Sequence, residues 1–149
     1  MDSPDDWDPL RHPGHYFSRI ARGLTRVGDV RLRHLGFATA QLPVLTALKD
    51  GAGVSQKELA KWAQVGQPTM AQMLSRMERD GLVQRVPDPQ DKRSSLISLT
   101  DATLEKLPAG RAILRQGNAE MTKGLSEKEV EMLVSLLRRV LENVESMEP

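Results

Sequence analysis

The stretch Val83–Thr100, VQRVPDPQDKRSSLISLT, decides the fold. Two runs alternate apolar and polar residues, Leu82–Val86 and Ser95–Leu99. They flank a seven-residue connection, Pro87–Arg93, that holds two prolines, two aspartates, Lys92 and Arg93. Period-two alternation on either side of a proline-broken polar segment predicts an antiparallel hairpin. A two-stranded ribbon is marginal in water by itself. This one must therefore rest on neighbouring helices, with the two bases held at its tip, away from any core.

Around the hairpin the apolar residues change to helical spacing. Immediately upstream, Met70, Met73, Leu74 and Met77 line one face of a helix expected over Gln67–Asp80, with Pro68 in the first turn and Gly81 as the stop. Such a stripe reads as core packing. Before it, Ser55 and Glu58 have capping-box spacing and open a helix with Leu59, Ala60 and Ala63 inward. A further helix over Thr39–Lys49 places Leu42, Leu45 and Leu48 inward and ends at the DGAG of residues 50–53. Pro43 must sit in its first turn or bend its start. The first long helix, His15–Leu35, carries Phe17, Ile20, Leu24, Val27 and Leu35 at gaps that include Arg31, with an arginine-rich face opposite. Residues 1–12 read as a flexible tail.

Downstream of the hairpin, Thr100 caps a fifth helix over Asp101–Lys123. Pro108 and Gly110 lie inside it, so a kink or a break near Leu107 is expected. Ser126 and Glu129 form a second capping box. The last helix spaces Val130, Leu133, Leu137, Val140, Leu141, Val144 and Met147 almost as heptads. An apolar seam of that kind wants a partner. With aromatics at 3% of the chain there is little to build a large monomer core, which favours a dimer.

Composition excludes several classes. The chain has 149 residues, 39% of them apolar, and a net charge of +1, a composition suited to a folded domain or one subunit of an intertwined dimer. No apolar run is long enough to cross a membrane, and the first ten residues lack a basic region followed by an apolar stretch, so no secretory signal is expected there. Cysteine is absent, which removes disulfides, thiol switches and thiolate metal sites and fits the cytoplasm. The three histidines show no metal-ligand spacing, and no cofactor is expected. Enzyme signatures such as a phosphate-binding glycine loop, H-E-x-x-H or a nucleophile elbow do not occur.

The small net charge hides a segregation. Residues 1–10 carry four aspartates and no base, whereas residues 11–50 carry six Arg and one Lys against two Asp. Residues 51–100 carry seven bases against five acids, and residues 101–149 seven against nine. The basic middle contains the hairpin, and such a patch can draw in nucleic acid despite a near-neutral total.

Three helices followed by a two-stranded hairpin is the order of a winged helix-turn-helix. The expected fold is mainly α with a small β-wing. A lobe at 38–100 would be flanked by dimerisation helices at 13–37 and 101–149. In that arrangement the second helix of the helix-turn-helix lies in the major groove. Gln67, Thr69, Gln72 and Ser75, followed by Arg76 and Arg79, would be the exposed side chains. Gln can pair with adenine, and Thr can meet base edges or a thymine methyl. Lys92 and Arg93 at the wing tip suit phosphates or a minor groove, whose negative potential attracts arginine.

The residues that carry chemistry here resemble the MarR family, the multiple antibiotic resistance regulators. Gln67-Pro68-Thr69 opens the helix as in that family, and Met77-Glu78-Arg79-Asp80-Gly81-Leu82-Val83-Gln84-Arg85 follows its L-E-x-x-G-L-V-x-R pattern. Asp88–Arg93 and then Leu99-Thr100 resemble its wing. The similarity is detailed over Leu35–Ala102 and one of layout outside it. It implies a homodimer on a pseudo-palindrome, the first and last helices of two subunits interlocked. By position, Thr69, Ala71 and Gln72 would face bases, and Arg93 would enter the minor groove. Asp91 would orient a wing arginine by a salt bridge, and Ser55 and Lys57 would stand near phosphate, with Pro68 and Ser94 in the same interface. Two departures stand out. Gln90 occupies a wing position that usually holds arginine, costing one charge contact per subunit, and Gln72 replaces an arginine found in some members, shifting preference from guanine towards adenine.

The resemblance also implies a small aromatic acid effector that weakens DNA binding, with repression the usual mode. His12, His15, Tyr16 and Arg19 near the start of the first helix offer cations for a carboxylate and a ring for stacking, and Trp62 is a further candidate. The rival expectation is a winged-helix module used for protein interaction or for DNA binding that ignores sequence.

Overall fold

The computed structural model of the chain describes residues 6–149. Six helices and one hairpin appear in the expected order: α1 Pro13–Leu32, α2 Leu42–Ala47, α3 Gln56–Ala63, α4 Gln67–Arg79, β1 Val83–Asp88, β2 Asp91–Leu99, α5 Asp101–Met121 and α6 Glu127–Glu145. Short 3-10 turns occupy Pro9–Arg11, Arg33–Leu35 and Thr39–Gln41. Residues 1–5 of the expected tail lie outside the described residues. From Asp8 onward the chain is already ordered by local contacts, since the Asp8 carboxylate accepts the Leu10 N–H at 3.0 Å and Trp7 stacks on His12.

Packing divides the chain into two compact units, one ending at Ile113 and the other spanning Leu114–Pro149. The core of the first unit gathers Val44, Leu45 and Leu48 of α2, Leu59 and Ala60 of α3, and Met70, Leu74 and Met77 of α4 under Val83, Ile97 and Leu99 of the hairpin. It also takes in Leu32, Leu35, Phe37 and Leu107. The end of α1 and the first half of α5 thus contribute to this core. The methionine stripe of α4 is core, as expected.

β1 and β2 pair antiparallel from Val83↔Leu99 to Pro87↔Ser95, with an irregularity before Asp88↔Asp91. The sheet is not two strands alone: Val54 bridges to Ile97, its N–H donating to the Ile97 carbonyl at 2.9 Å and its carbonyl accepting in return at 2.8 Å. This third backbone explains Gly53. A Cβ there would stand 2.8 Å from Leu96 Cβ, too close to accommodate without movement. It also makes β1 the outer strand, where Pro87 is tolerated because no partner needs its missing N–H.

The hairpin base is welded to α5 by threonines. Thr103, 1% exposed, donates its hydroxyl to the Leu82 carbonyl at 2.8 Å, and Thr100 donates to the Gly81 carbonyl at 2.8 Å. Thr100 also accepts the Thr103 N–H, confirming it as the helix cap. Thr103→Val keeps the shape and removes one buried hydrogen bond. It is expected to lower stability by about 1–2 kcal/mol in chemical denaturation.

α5 is one continuous helix through Pro108, so of the expected kink or break the break does not occur. Leu107 and Gly110 are buried on either side of an exposed Pro108. At Gly110, Phe37 approaches to 3.4 Å of where a Cβ would sit. Packing of that face outweighs one missing helical hydrogen bond, whose cost falls on the solvent side. Pro43 takes the first turn of α2, as expected.

α1 is tied to the lobe at a close joint. The Asp29 carboxylate accepts both the Thr39 hydroxyl at 2.6 Å and the Thr39 N–H at 2.8 Å. A Cβ on Gly28 would collide with the Thr39 methyl at 2.5 Å. The Thr39 hydroxyl above all, then its N–H, with Arg33 nearby, holds the Asp29 carboxyl below the usual carboxylate range. A depressed carboxyl stabilises the fold above its unfolded pKa of about 4, and that contribution is lost as pH falls through the lower folded value. Asp29→Asn should therefore flatten the acid limb of a plot of melting temperature against pH and leave the neutral-to-basic limb with its original shape.

Candidate nucleic-acid interface

α3 and α4 form the helix-turn-helix. Ser55 caps α3 by accepting the Glu58 N–H at 3.2 Å; the reciprocal bond that would complete a capping box is made only at the second site, Ser126 with Glu129. α3 ends at Gln64, which adopts a left-handed conformation with φ 55°, and Val65 and Gly66 complete the turn into α4. Burying Met70, Leu74 and Met77 fixes the rotation of α4 and sends Thr69, Gln72, Ser75, Arg76 and Arg79 outward along one face. Gln67 and Pro68 are exposed at its start, and Ala71 is half-buried at the edge of that face. The expected base-facing residues therefore share a surface with two arginines one and two turns further on. Lys57 is exposed near the start of α3, and Ser55 is half-buried in its capping position.

The wing tip is tighter than the sequence suggested. The strands continue through most of the expected seven-residue connection, leaving Pro89 and Gln90 as a two-residue turn. Two aspartates build it. Asp88 accepts the Gln90 N–H at 2.9 Å and the Ser94 hydroxyl at 3.4 Å, and Asp91 accepts the Arg93 N–H at 3.0 Å. The expected Asp91 salt bridge to a wing arginine is absent among the described residues. A carboxylate two residues before Arg93 is better placed for the backbone N–H than for the guanidinium, and the resulting turn fixes the chain beneath Arg93. Lys92, Arg93 and Ser94 are all exposed. At the tip the Gln90 and Arg93 N–H groups are committed to the aspartates while Lys92 and Arg93 remain exposed, an arrangement suited to phosphates and groove edges.

Sequence reasoning missed one ion pair of this surface. Arg85 of β1 donates from Nε to Glu78 Oε2 of α4 at 2.9 Å. Both residues lie inside the L-E-x-x-G-L-V-x-R pattern, and opposite charges seven apart across a helix-to-strand turn were the available signal.

At the start of α1, the Tyr16 hydroxyl donates to the Leu10 carbonyl at 2.8 Å and the His15 and Tyr16 rings meet edge to face at 5.6 Å. His15 Nε2 is shielded from solvent and has no hydrogen-bond partner. Arg19 is exposed one turn further along, and Trp62 stands on α3 with 62% of its surface open. The five candidate effector residues thus fall into an α1 cluster and a separate aromatic on α3. Among the described residues no cluster of His, Cys, Asp or Glu could hold a metal, and no helix is long and apolar enough to cross a membrane.

A major-groove-sized helix with an exposed polar and basic face, set beside a rigid basic wing, defines the winged helix DNA-binding regulators of transcription. A sequence model described as the MarR family matches residues 35–94. The chain is 33% identical over 129 residues to the multiple antibiotic resistance protein MarR of Escherichia coli strain K12, covering 86% of this chain and 90% of that protein. It is 25% identical over 143 residues to the HTH-type transcriptional repressor IacR of Pseudomonas putida, covering 96% and 86%. Among solved structures, the S. aureus MepR–DNA complex superposes with a TM-score of 0.80 at 26% identity, covering 89% of this chain and all but 2% of that one. A mutant E. coli MarR bound to operator DNA gives 0.79 at 29% identity, covering 92% and 99%. The chain belongs to the MarR family, and is a DNA-binding transcriptional regulator rather than an enzyme.

Proposed function

We propose that the protein is a repressor that binds a pseudo-palindromic operator as a homodimer and is released by a small aromatic acid. The observation that carries this reading is the exposed face of α4, Thr69, Gln72, Ser75, Arg76 and Arg79, beside a wing whose turn is locked by Asp88 and Asp91. Thr69, Ala71 and Gln72 meet base edges, while Gln67, Pro68 and Ser75 line the groove wall. Ser55, Lys57, Arg76, Arg79, Lys92 and Ser94 contact the backbone, and Arg93 enters the minor groove. Solved relatives include complexes with DNA, and one curated relative is a repressor. Both support the reading.

The dimer rests on two unpartnered apolar stripes. On α1, Phe17, Ile20, Leu24 and Val27 are all exposed, and α6 has no buried residue at all. A second copy covers both with the equivalent helices. The effector rests on the α1 cluster. His15 offers a shielded nitrogen without a partner beside the Tyr16 ring, with Arg19 one turn away and His12 one turn before, a set suited to a ring bearing a carboxylate. Trp62 supplies a second ring.

Selection of bound duplexes from a random pool at moderate salt tests the function. An enriched pseudo-palindrome with half-sites about one helical turn apart is expected. Binding without enrichment would replace the operator reader with a charge-driven packaging role, and no binding would leave a protein-interaction module. Released duplex on addition of simple aromatic carboxylates, with His15→Ala insensitive, tests the effector.

A further inference from the structure

Glu78 and Arg85 occupy the last point at which the wing is fastened to α4. Glu78 sits in the final turn of that helix, where the macrodipole disfavours an acid. Arg85 lies in β1 opposite Ile97, on the sheet face that carries Val83 two residues earlier. Val83 and Ile97 are core residues, so that face is apolar up to Arg85 and the ion pair begins where the core ends. Among the described residues no other hydrogen bond or ion pair joins α4 to residues 84–95. Among the described residues the hairpin beyond Arg85 is otherwise held by its own strand pairing, by the aspartate turns at its tip and, on the β2 side, by the Val54–Ile97 bridge, none of which reaches α4.

We propose that Glu78 and Arg85 are positioning residues for the wing, setting the angle at which β1 and β2 leave α4 and hence where Arg93 stands relative to the recognition helix. The proposal rests on the DNA-reading function above. The turn at Pro89 is four residues beyond Arg85, about 13 Å along a strand. A rotation of about 10° at the ion pair then moves the tip by about 2 Å, enough to break a hydrogen bond to a groove edge. The pair itself is worth little to folding, since both side chains are more than a third exposed. Its effect is geometric, and it falls on the wing and not on the α4 bases.

The sign of one substitution separates this from simple electrostatics. Glu78→Gln removes a negative charge from a DNA-binding surface, and charge alone would tighten binding. Loss of positioning weakens it. With the full chain and the selected duplex, Glu78→Gln is expected to bind about threefold to tenfold more weakly. Arg93→Ala added to it should cost less than in the parent. Exchanging the charges, Glu78→Arg with Arg85→Glu, should recover most of the loss. Base preferences under α4 stay as in the parent while those under the wing relax. Tighter or unchanged binding by Glu78→Gln, or an Arg93→Ala penalty of the same size in both backgrounds, would overturn the positioning role and leave the wing contact standing. An Arg93→Ala variant that binds like the parent would instead remove the wing contact, and the positioning role with it.

Discussion

Leu137→Glu, combined with Leu141→Glu, is expected to convert the protein to a folded monomer and to weaken palindrome binding by about 100- to 10,000-fold, the advantage of joining two half-site readers. The seam expected to join two copies lies on α6. Its capping box is complete and its apolar residues recur at near-heptad spacing, yet Leu133, Leu137, Leu141 and Val144 are exposed, the last two by 56%. Burying an apolar side chain is worth about 1.5–3 kcal/mol, so a stripe of this length against its copy can repay the cost of association. A carboxylate in the middle of that seam must either stay in water or be buried unpaired, and neither permits close approach. The substituted positions lie in the unit that begins at Leu114, outside the core built around α4. Circular dichroism should therefore match the parent while sedimentation reports half the mass. A dimer that persists with unchanged binding would place the seam elsewhere.

Much of the lobe was legible because its signals are periodic. Met70, Leu74 and Met77 at helical spacing fixed which face of α4 is buried, and by exclusion which face is exposed. Ser126 announced its cap by its spacing to Glu129. What escaped has no period. Val54 joins the sheet through one residue, and a single bridge leaves no alternation to detect. Pro87 and Pro89 suggested a long loop because proline removes a ladder donor. An outer strand does not need that donor, and pairing ran on to Asp88. Pro108 left a kink and a break both open because local propensity is additive along the chain, whereas the packing of Thr103, Leu107 and Gly110, with which the helix runs on unbroken, is not visible until Phe37 and Leu82 are folded against them.

Asp91 shows a different limit. The resemblance implied an ion pair between Asp91 and a wing arginine, but sequence does not say which donor a carboxylate will meet. The backbone N–H of Arg93 was nearer to hand. The same uncertainty hid Glu78 and Arg85, which were seen as parts of a motif and not as partners. In both places the type of residue was informative and the partner was set by how the chain turns.

The second large effect is expected at Arg93 and is best measured against Gln72. If Arg93 inserts into the minor groove, Arg93→Ala removes one cationic contact from each wing. Salt dependence should then become shallower by roughly 2 for the dimer, at about 0.9 per released counterion. Affinity at physiological salt should drop about tenfold to a hundredfold, because a cation in a narrow groove sits in concentrated negative potential. Selected sequences should change only where the wing lies. Gln72→Ala makes the contrasting case. Gln72 is exposed in the middle of the α4 face and carries no charge, so its removal should leave the salt slope alone. Its cost, about 1–3 kcal/mol per base pair read, should appear as relaxed choice at one position of each half-site, with adenine no longer preferred. Two variants that both lose affinity uniformly, with parallel salt slopes and unchanged sequence choice, would mean that neither side chain reads DNA. One that alters slope and one that alters preference would assign phosphate-side attraction to the wing and base discrimination to α4.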